Sequence, residues 1–259
     1  MNHDKKNQVK TIFSKNADAY ATSKTHASGE DLEQLIDWLQ PSSRAVALDL
    51  ATGGGNVVKR LAPTLATVFA TDLTKEMLQN TSHFLTDYKN VYYVVADAEN
   101  IPFLNDSFDI VTCRIAAHHF PNPALFIEEV HRVLKPDGTF ILIDNVAPAI
   151  PALDEFMNTF EEMRDPSHSK ALSVKDWIGL IERNQLEIVR EQRTKKTLPF
   201  HNWVNRTAED QSQVQAVTHF FKRAQKEEKQ YFEFKEEKGR LQSFSIDQWM
   251  VMCKKKSSS

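Results

Sequence analysis

Apolar residues recur along this chain with two alternating periods, and the switches between them set out a repeating order of strands and helices. Between residues 28 and 40, Leu32, Leu35, Ile36 and Leu39 share one helical face, with Ser28 and Asp31 spaced as a capping box and Pro41 as the stop. An unbroken apolar run from Ala45 to Leu50 follows, the signature of a strand buried on both faces. Val57, Val58, Leu61 and Leu65 then predict a short helix, Thr67 to Thr71 a second buried strand, and Thr74 the cap of a helix reaching Tyr88. The rhythm continues through strands at Val91 to Val95 and Ile110 to Ile115. A helix opened by Asn122-Pro123 comes next, turning Phe126, Val130, Val133 and Leu134 inward, and then a strand at Phe140 to Ile143. Five parallel strands joined by helical crossovers are implied.

After Asn145 the pattern changes at Pro148 and Pro151. Leu153, Phe156, Met157 and Phe160 form an amphipathic stripe on an inserted helix, and Ser173 with Asp176 forms another capping box ahead of Trp177, Ile178 and Ile181. Leu186 to Val189 begins a sixth strand. Residues 207–230 read as a long, highly charged helical segment, and the Lys/Glu-rich run 222–238 as a solvated helix face. Phe244 to Cys253 predicts a last strand, placed antiparallel because no apolar crossover leads into it.

Composition narrows the classes. With 259 residues, 41% of them hydrophobic and 26% charged, the chain can bury a substantial core as one α/β domain. A formal charge of -3 supplies no broad basic field, so nucleic acid is not expected as a substrate, although Lys254-Lys255-Lys256 is a local exception. Cys113 and Cys253 lie far apart in no metal-ligand spacing, so no metal is expected, and Cys113 reads as a small buried strand residue. The polar amino terminus lacks a signal-peptide core and no apolar run reaches membrane length, which predicts a cytoplasmic protein with no membrane span.

The chemistry is carried by Leu48-Asp49-Leu50-Ala51-Thr52-Gly53-Gly54-Gly55, followed 17 residues after Gly55 by Asp72 at the end of the next apolar run. A dinucleotide-binding dehydrogenase needs Gly-x-Gly-x-x-Gly; with Gly53 as the middle glycine, Ala51 and Asn56 occupy the other two positions. The order instead resembles the first motif of class I S-adenosylmethionine-dependent methyltransferases, Asp/Glu-x-Gly-x-Gly-x-Gly. Ala51 departs at the first glycine, and its methyl group is accommodated if φ there is negative. Val95 to Phe103, then Asp106-Ser107-Phe108-Asp109, is similar to that family's adenine-edge motif. Arg132 to Gly138 resembles its Arg-Val-Leu-Lys-Pro-Gly-Gly turn, where glycine supplies positive φ. The resemblance covers residues 45–145 and is nearest to the ubiquinone/menaquinone-biosynthesis-type group of small-molecule methyltransferases. Arg164-Asp165-Pro166-Ser167-His168 and residues 16–20 also resemble uncharacterised bacterial members.

The resemblance implies a Rossmann-like, doubly wound seven-stranded sheet, mostly parallel with an antiparallel last strand, carrying a helical cap. Residues 1–259 would form one domain, with a helical flap at 1–40, the cofactor-binding core at 45–145, and cap segments at 148–172 and 198–240. It implies that Asp49 helps hold the amino-acid end of S-adenosylmethionine. Asp72 would accept from both ribose hydroxyls, Asp97 from the adenine amine, and the Ala98 N–H would donate to the ring. Ala51, Gly53, Gly55, Leu73 and Met77 complete the cradle, and Tyr20 lies on the flap over the cofactor. Arg114 either reaches the methionine carboxylate or offers only its backbone carbonyl. His118 and His119, at the end of the fourth strand, are candidates for the catalytic base, with positioning and packing as rival roles; an ordinary histidine pKa of about 6.5 suits the task. Phe13, Arg164, His168 and Trp203 would line the acceptor pocket, against rival readings as docking aromatic, solvated charge cluster or buried anchor. The expected function is methyl transfer from S-adenosylmethionine to carbon or oxygen of a small, partly apolar metabolite, by a monomer or homodimer. A non-catalytic S-adenosylmethionine-binding protein or sensor is the alternative, and a nicotinamide dehydrogenase a third reading.

Overall fold

The computed structural model describes residues 2–21 and 29–256, apart from the side chains of residues 2–3 and 15–21. Two helices, α1 (Asn2–Ala21) and α2 (Glu30–Leu39), precede a sheet. Strands β1 (Val46–Leu50), β2 (Thr67–Asp72) and β3 (Val91–Val95) are joined by α3 (Asn56–Leu61) and α4 (Lys75–Phe84). Strands β4 (Phe108–Arg114) and β5 (Leu134–Val146) flank α5 (Pro123–Val133). Next come α6 (Pro151–Arg164), α7 (Val174–Arg183), β6 (Leu186–Pro199) and α8 (Phe200–Val204). The chain closes with α9 (Gln211–Lys222), α10 (Lys226–Tyr231), β7 (Lys235–Glu237) and β8 (Arg240–Lys255).

The sheet runs β3-β2-β1-β4-β5-β8-β6, with β7 paired to β8 beside that path. The first five strands are parallel, and β8 is antiparallel to both β5 and β6. The expected seven-strand path is therefore present, and β7 is an eighth, three-residue strand whose residues are all exposed. Its polar sequence carries no apolar alternation that could announce it. The strand order reverses at β1 and β4, where α/β sheets open a crevice beyond the strand ends.

One apolar layer packs α5 and α7 against the sheet through Phe126, Val130, Trp177 and Ile181; another packs α2 and α3 on the opposite face through Leu32, Leu35, Val58 and Leu61. A third core belongs to the cap, where Phe156, Phe160, Trp203, Phe221, Phe232 and Phe244 interlock. Local chemistry starts several helices as expected: Asn122 accepts from Leu125 N (3.3 Å), and Ser173 from Asp176 N (3.2 Å).

Other expectations change. Ser28 lies outside the described residues; Gly29 caps α2 without a side-chain bond, and Asp31 is taken by Arg114 instead. Helix α4 stops at Phe84 because Leu85 leaves helical geometry and drops into the core. Residues 207–230 hold two helices, restarted by caps at Asp210 and Gln225, and the run 222–238 is broken where Phe232 enters the cap core. Where the glycine turn was expected, now the first residues of β5, the left-handed residue is Asp137 (φ 63°), not Gly138. Gly138 is required for room, since a Cβ there would lie 2.7 Å from the Lys135 carbonyl oxygen.

Candidate active site

Beyond the ends of β1 and β4 the chain turns through Ala51 to Gly55, and this turn floors a cavity open to solvent. Ala51 stands at φ 50°, Gly53 at 51° and Gly55 at 76°. The condition under which Ala51 fits without strain, a negative φ, is not met: it takes a left-handed conformation, which costs an L-residue about 1 kcal/mol or more. The turn holds that shape through Thr52 N donating to Thr71 O (2.8 Å) and Thr81 Oγ1 donating to Gly53 O (2.5 Å). Gly55 faces away from the cavity and caps α3. A Cβ there would come 2.6 Å from Thr81 Cγ2, so the absence of a side chain lets α4 approach.

Four carboxylates line the cavity, Asp49, Asp72, Asp97 and Glu99. Asp49 accepts from Thr112 Oγ1 (2.6 Å) and from the Thr52 hydroxyl, and burial pushes its pKa up to about 6 despite those bonds and the nearby Arg114. Asp72 accepts from Gly53 N (3.1 Å) and Thr74 N (2.9 Å), and burial raises its pKa. Asp97 accepts from Glu99 N (3.0 Å) and from the Lys6 ammonium (2.6 Å), which also pairs with Glu99 at 2.6 Å. A carboxylate offers about four acceptor positions, so each retains capacity for a ligand. Leu73, Met77, Ala98, Arg114 and Phe13 line the same space. The Arg114 guanidinium is bound edge-on by Asp31 (Nε to Oδ2 2.6 Å, Nη2 to Oδ1 3.1 Å), which ties β4 to α2. The Tyr20 side chain lies outside the described residues.

The first helix closes one wall. Lys5 donates to Glu162 (2.9 Å) and to the Pro166 and His168 carbonyls, Lys6 reaches Asp97, Phe13 meets His119 edge-on at 5.1 Å, and Ser14 donates to Glu76 (3.0 Å). Nothing in the sequence of α1 marks Lys6, because its partners lie more than 90 residues away.

A second, smaller cavity adjoins the first, and Phe13, Ile115 and His119 line both. Its other walls include His118, Arg164, Lys196, Trp203 and Arg206. Asp144, missed in the sequence, receives His118 Nδ1 at 2.6 Å and the His118 backbone N–H at 2.9 Å. Burial opposes charge on His118, but Asp144, with Glu161 and Asp165 farther off, outweighs it and raises the pKa. His119 is driven the other way, to about 4, by burial and by His118; it stays neutral and its Nδ1–H donates to the Ser167 carbonyl (3.1 Å). Arg164 lines this cavity while bound to Glu161 (2.7 Å) and stacked on Trp203 (4.9 Å), so the rival reading as a solvated cluster fails, the cluster being buried. Trp203 is both cavity wall and buried anchor. His168 lines neither cavity. Its Nε2–H donates to Asn158 Oδ1 (2.8 Å), and burial with the charges of its neighbours lowers its pKa, so it braces the loop after α6.

A buried floor of acids suits a ligand that presents a diol, an amine and positive charge, and opposes a pyrophosphate. Both cations beside it, Lys6 and Arg114, already hold carboxylates, so a dinucleotide finds no counter-charge there. Among the described residues no group of histidine, cysteine and acidic side chains is arranged to hold a metal, and no helix is long and apolar enough to cross a membrane.

Known proteins agree. Residues 48–142 match the family described as a methyltransferase domain. The uncharacterized methyltransferase YcgJ of Bacillus subtilis is 38% identical over 81% of this chain and 84% of its own length. A demethylmenaquinone methyltransferase of Clavibacter sepedonicus is 33% identical over 65% of this chain and 71% of its own. A crystal structure from Bacillus halodurans C-125, described as of a methyltransferase type, superposes with a TM-score of 0.86 at 38% identity, over 88% of this chain and all of that one. With the acid-floored turn at the switch point of the sheet, this similarity across most of the chain makes it a class I S-adenosylmethionine-dependent methyltransferase of the ubiquinone/menaquinone-biosynthesis-type group.

Proposed function

We propose that the enzyme methylates carbon or oxygen of a small, partly apolar metabolite held in the second cavity, with His118 as the base. The observation that supports this reading is that Phe13, Ile115 and His119 line both cavities, so the second lies directly against the first. When bound, S-adenosylmethionine supplies an electrophilic methyl group.

The chain's own residues supply the rest. Asp49 takes the amino-acid end, Asp72 the ribose diol, and Asp97 the adenine edge, each with the acceptor positions its present partners leave. Met77 and Leu73 form the apolar bed. Helix α1, clamped by Lys5 and Lys6, excludes water and so preserves alignment, which is the main requirement of an in-line transfer. His118 is oriented by Asp144 through Nδ1, leaving Nε2 for a proton of the acceptor, and the carboxylate stabilises the imidazolium that forms. His119, held neutral, shapes the passage between the cavities. Ile115, Leu198 and Ile246 give the acceptor its apolar contacts.

The test is a screen of candidate acceptors for release of S-adenosylhomocysteine, repeated with His118→Gln. Turnover should fall about 100-fold with unchanged affinity for S-adenosylhomocysteine. Equal turnover in the variant removes His118 as base, and absence of turnover with every small-molecule class removes the acceptor reading.

A further inference from the structure

The charges in the second cavity narrow the acceptor further. Lys196 lies on β6 opposite Ile246 of β8, and both line that cavity. Its neighbours along the strand point elsewhere: Lys195 pairs with Asp247 (3.2 Å), and Thr197 is exposed. The carboxylates near Lys196 or lining the same cavity are engaged, apart from one oxygen of Asp165. Asp31 is bound bidentately by Arg114, Asp144 receives His118 and two backbone N–H groups, and Glu161 holds Arg164. The Lys196 ammonium has no hydrogen bond or ion pair among the described residues, although the residue is half-buried; burial and the Arg114 and Arg206 guanidiniums press it toward losing its proton. An ammonium so placed, with three donors to fill, is stabilised by an anion entering the cavity.

The cavity also presents acceptors without donors. Asn145 Oδ1 and Asp165 Oδ2 are buried, belong to lining residues, and have no hydrogen-bond partner among the described residues. A buried acceptor left unpaired costs about 1–3 kcal/mol, which a hydroxyl or amine would recover.

We infer that the methyl acceptor carries an oxyanion, carboxylate or phosphate, bound by Lys196, together with a hydroxyl or amine that donates to Asn145 and Asp165. The inference rests on the second cavity being the acceptor site. It makes β6 a specificity element: the outer strand reads as a charged, solvated edge, yet one of its lysines selects the substrate.

The test is calorimetric titration of the S-adenosylhomocysteine-loaded enzyme with benzoate, phenyl phosphate and benzamide. At least one anion should bind saturably and benzamide about 10- to 100-fold more weakly. Tighter binding of benzoate identifies the group as carboxylate, and tighter binding of phenyl phosphate as phosphate. Lys196→Met should abolish the preference for the anion, Lys196→Arg should keep most of it, and both should bind S-adenosylhomocysteine as the parent does, because Lys196 does not line the cofactor cavity. No saturable binding of either anion, equal binding of benzamide, or an undiminished preference in Lys196→Met overturns the inference. The titrations are repeated without S-adenosylhomocysteine, so a failure of the cofactor site is seen separately from a failure of the anion site.

Discussion

Asp49→Asn should make the cofactor-free enzyme more stable while crippling cofactor binding. Asp49 is buried at the end of β1, and its carboxyl is pushed from an ordinary 3.8 to about 6, chiefly by burial. A rise of about two units at roughly 1.4 kcal/mol each means that ionised Asp49 costs the folded state up to about 3 kcal/mol. Because the folded pKa is the higher one, the folded state holds its proton more tightly. The favourable contribution is complete below the unfolded value and is lost as pH rises from about 4 through about 6. Asparagine keeps the shape and an acceptor for Thr112 Oγ1, and Thr52 can rotate to accept from the new amide. Urea denaturation of the cofactor-free proteins should show the variant more stable by about 1–3 kcal/mol at pH 8 and indistinguishable near pH 4. Affinity for S-adenosylhomocysteine should fall about 10- to 100-fold, because the ligand's ammonium loses its counter-charge. A variant no more stable at pH 8, or a gain that persists unchanged at pH 4, would refute the reasoning.

With His118 as base, kcat/KM should fall on the acid side with a midpoint above 6.5, because the net effect of Asp144 is to raise its pKa; a midpoint near 4 would assign the role to His119. Ala51→Gly should leave stability equal or up to about 1 kcal/mol higher in thermal denaturation, since relief at φ 50° is partly offset by the greater freedom of glycine when unfolded. Ala51→Val should lose about 2 kcal/mol at the same position, and equal stability of the two variants would contradict the left-handed turn. Phe160→Ala, which removes a fully buried ring meeting Phe156, Trp203, Phe221, Phe232 and Phe244, should cost about 3–5 kcal/mol in urea denaturation; a loss below about 1 kcal/mol would show that the cap core is loose.

Much of the architecture was legible from sequence by itself, because its determinants are local. Apolar period, Asn122-Pro123 and the Ser173 cap place strands and helices with no knowledge of partners. The acids at 49, 72 and 97 fall at strand ends, where the parallel topology must gather them. That the final strand is antiparallel also follows from the absence of a crossover. Boundaries set by one side chain entering a core, such as Leu85 and Phe232, were not legible, nor was β7.

Only the tertiary structure decided the acceptor side and the geometry of the cofactor turn. Asp144 behind His118 and Lys6 across from Asp97 are contacts between residues 26 and 91 positions apart, and the place of Lys196 beside Ile246 follows from the pairing of β6 with β8; no periodicity encodes any of them. The sequence determined that Ala51 replaces a glycine, whereas the fold determined its φ: bonds from Thr52 and Thr81 hold the turn in the left-handed region whatever residue stands there. Local chemistry chooses the elements and the kind of cofactor, and long-range packing chooses which charged groups meet and which are left without a protein partner.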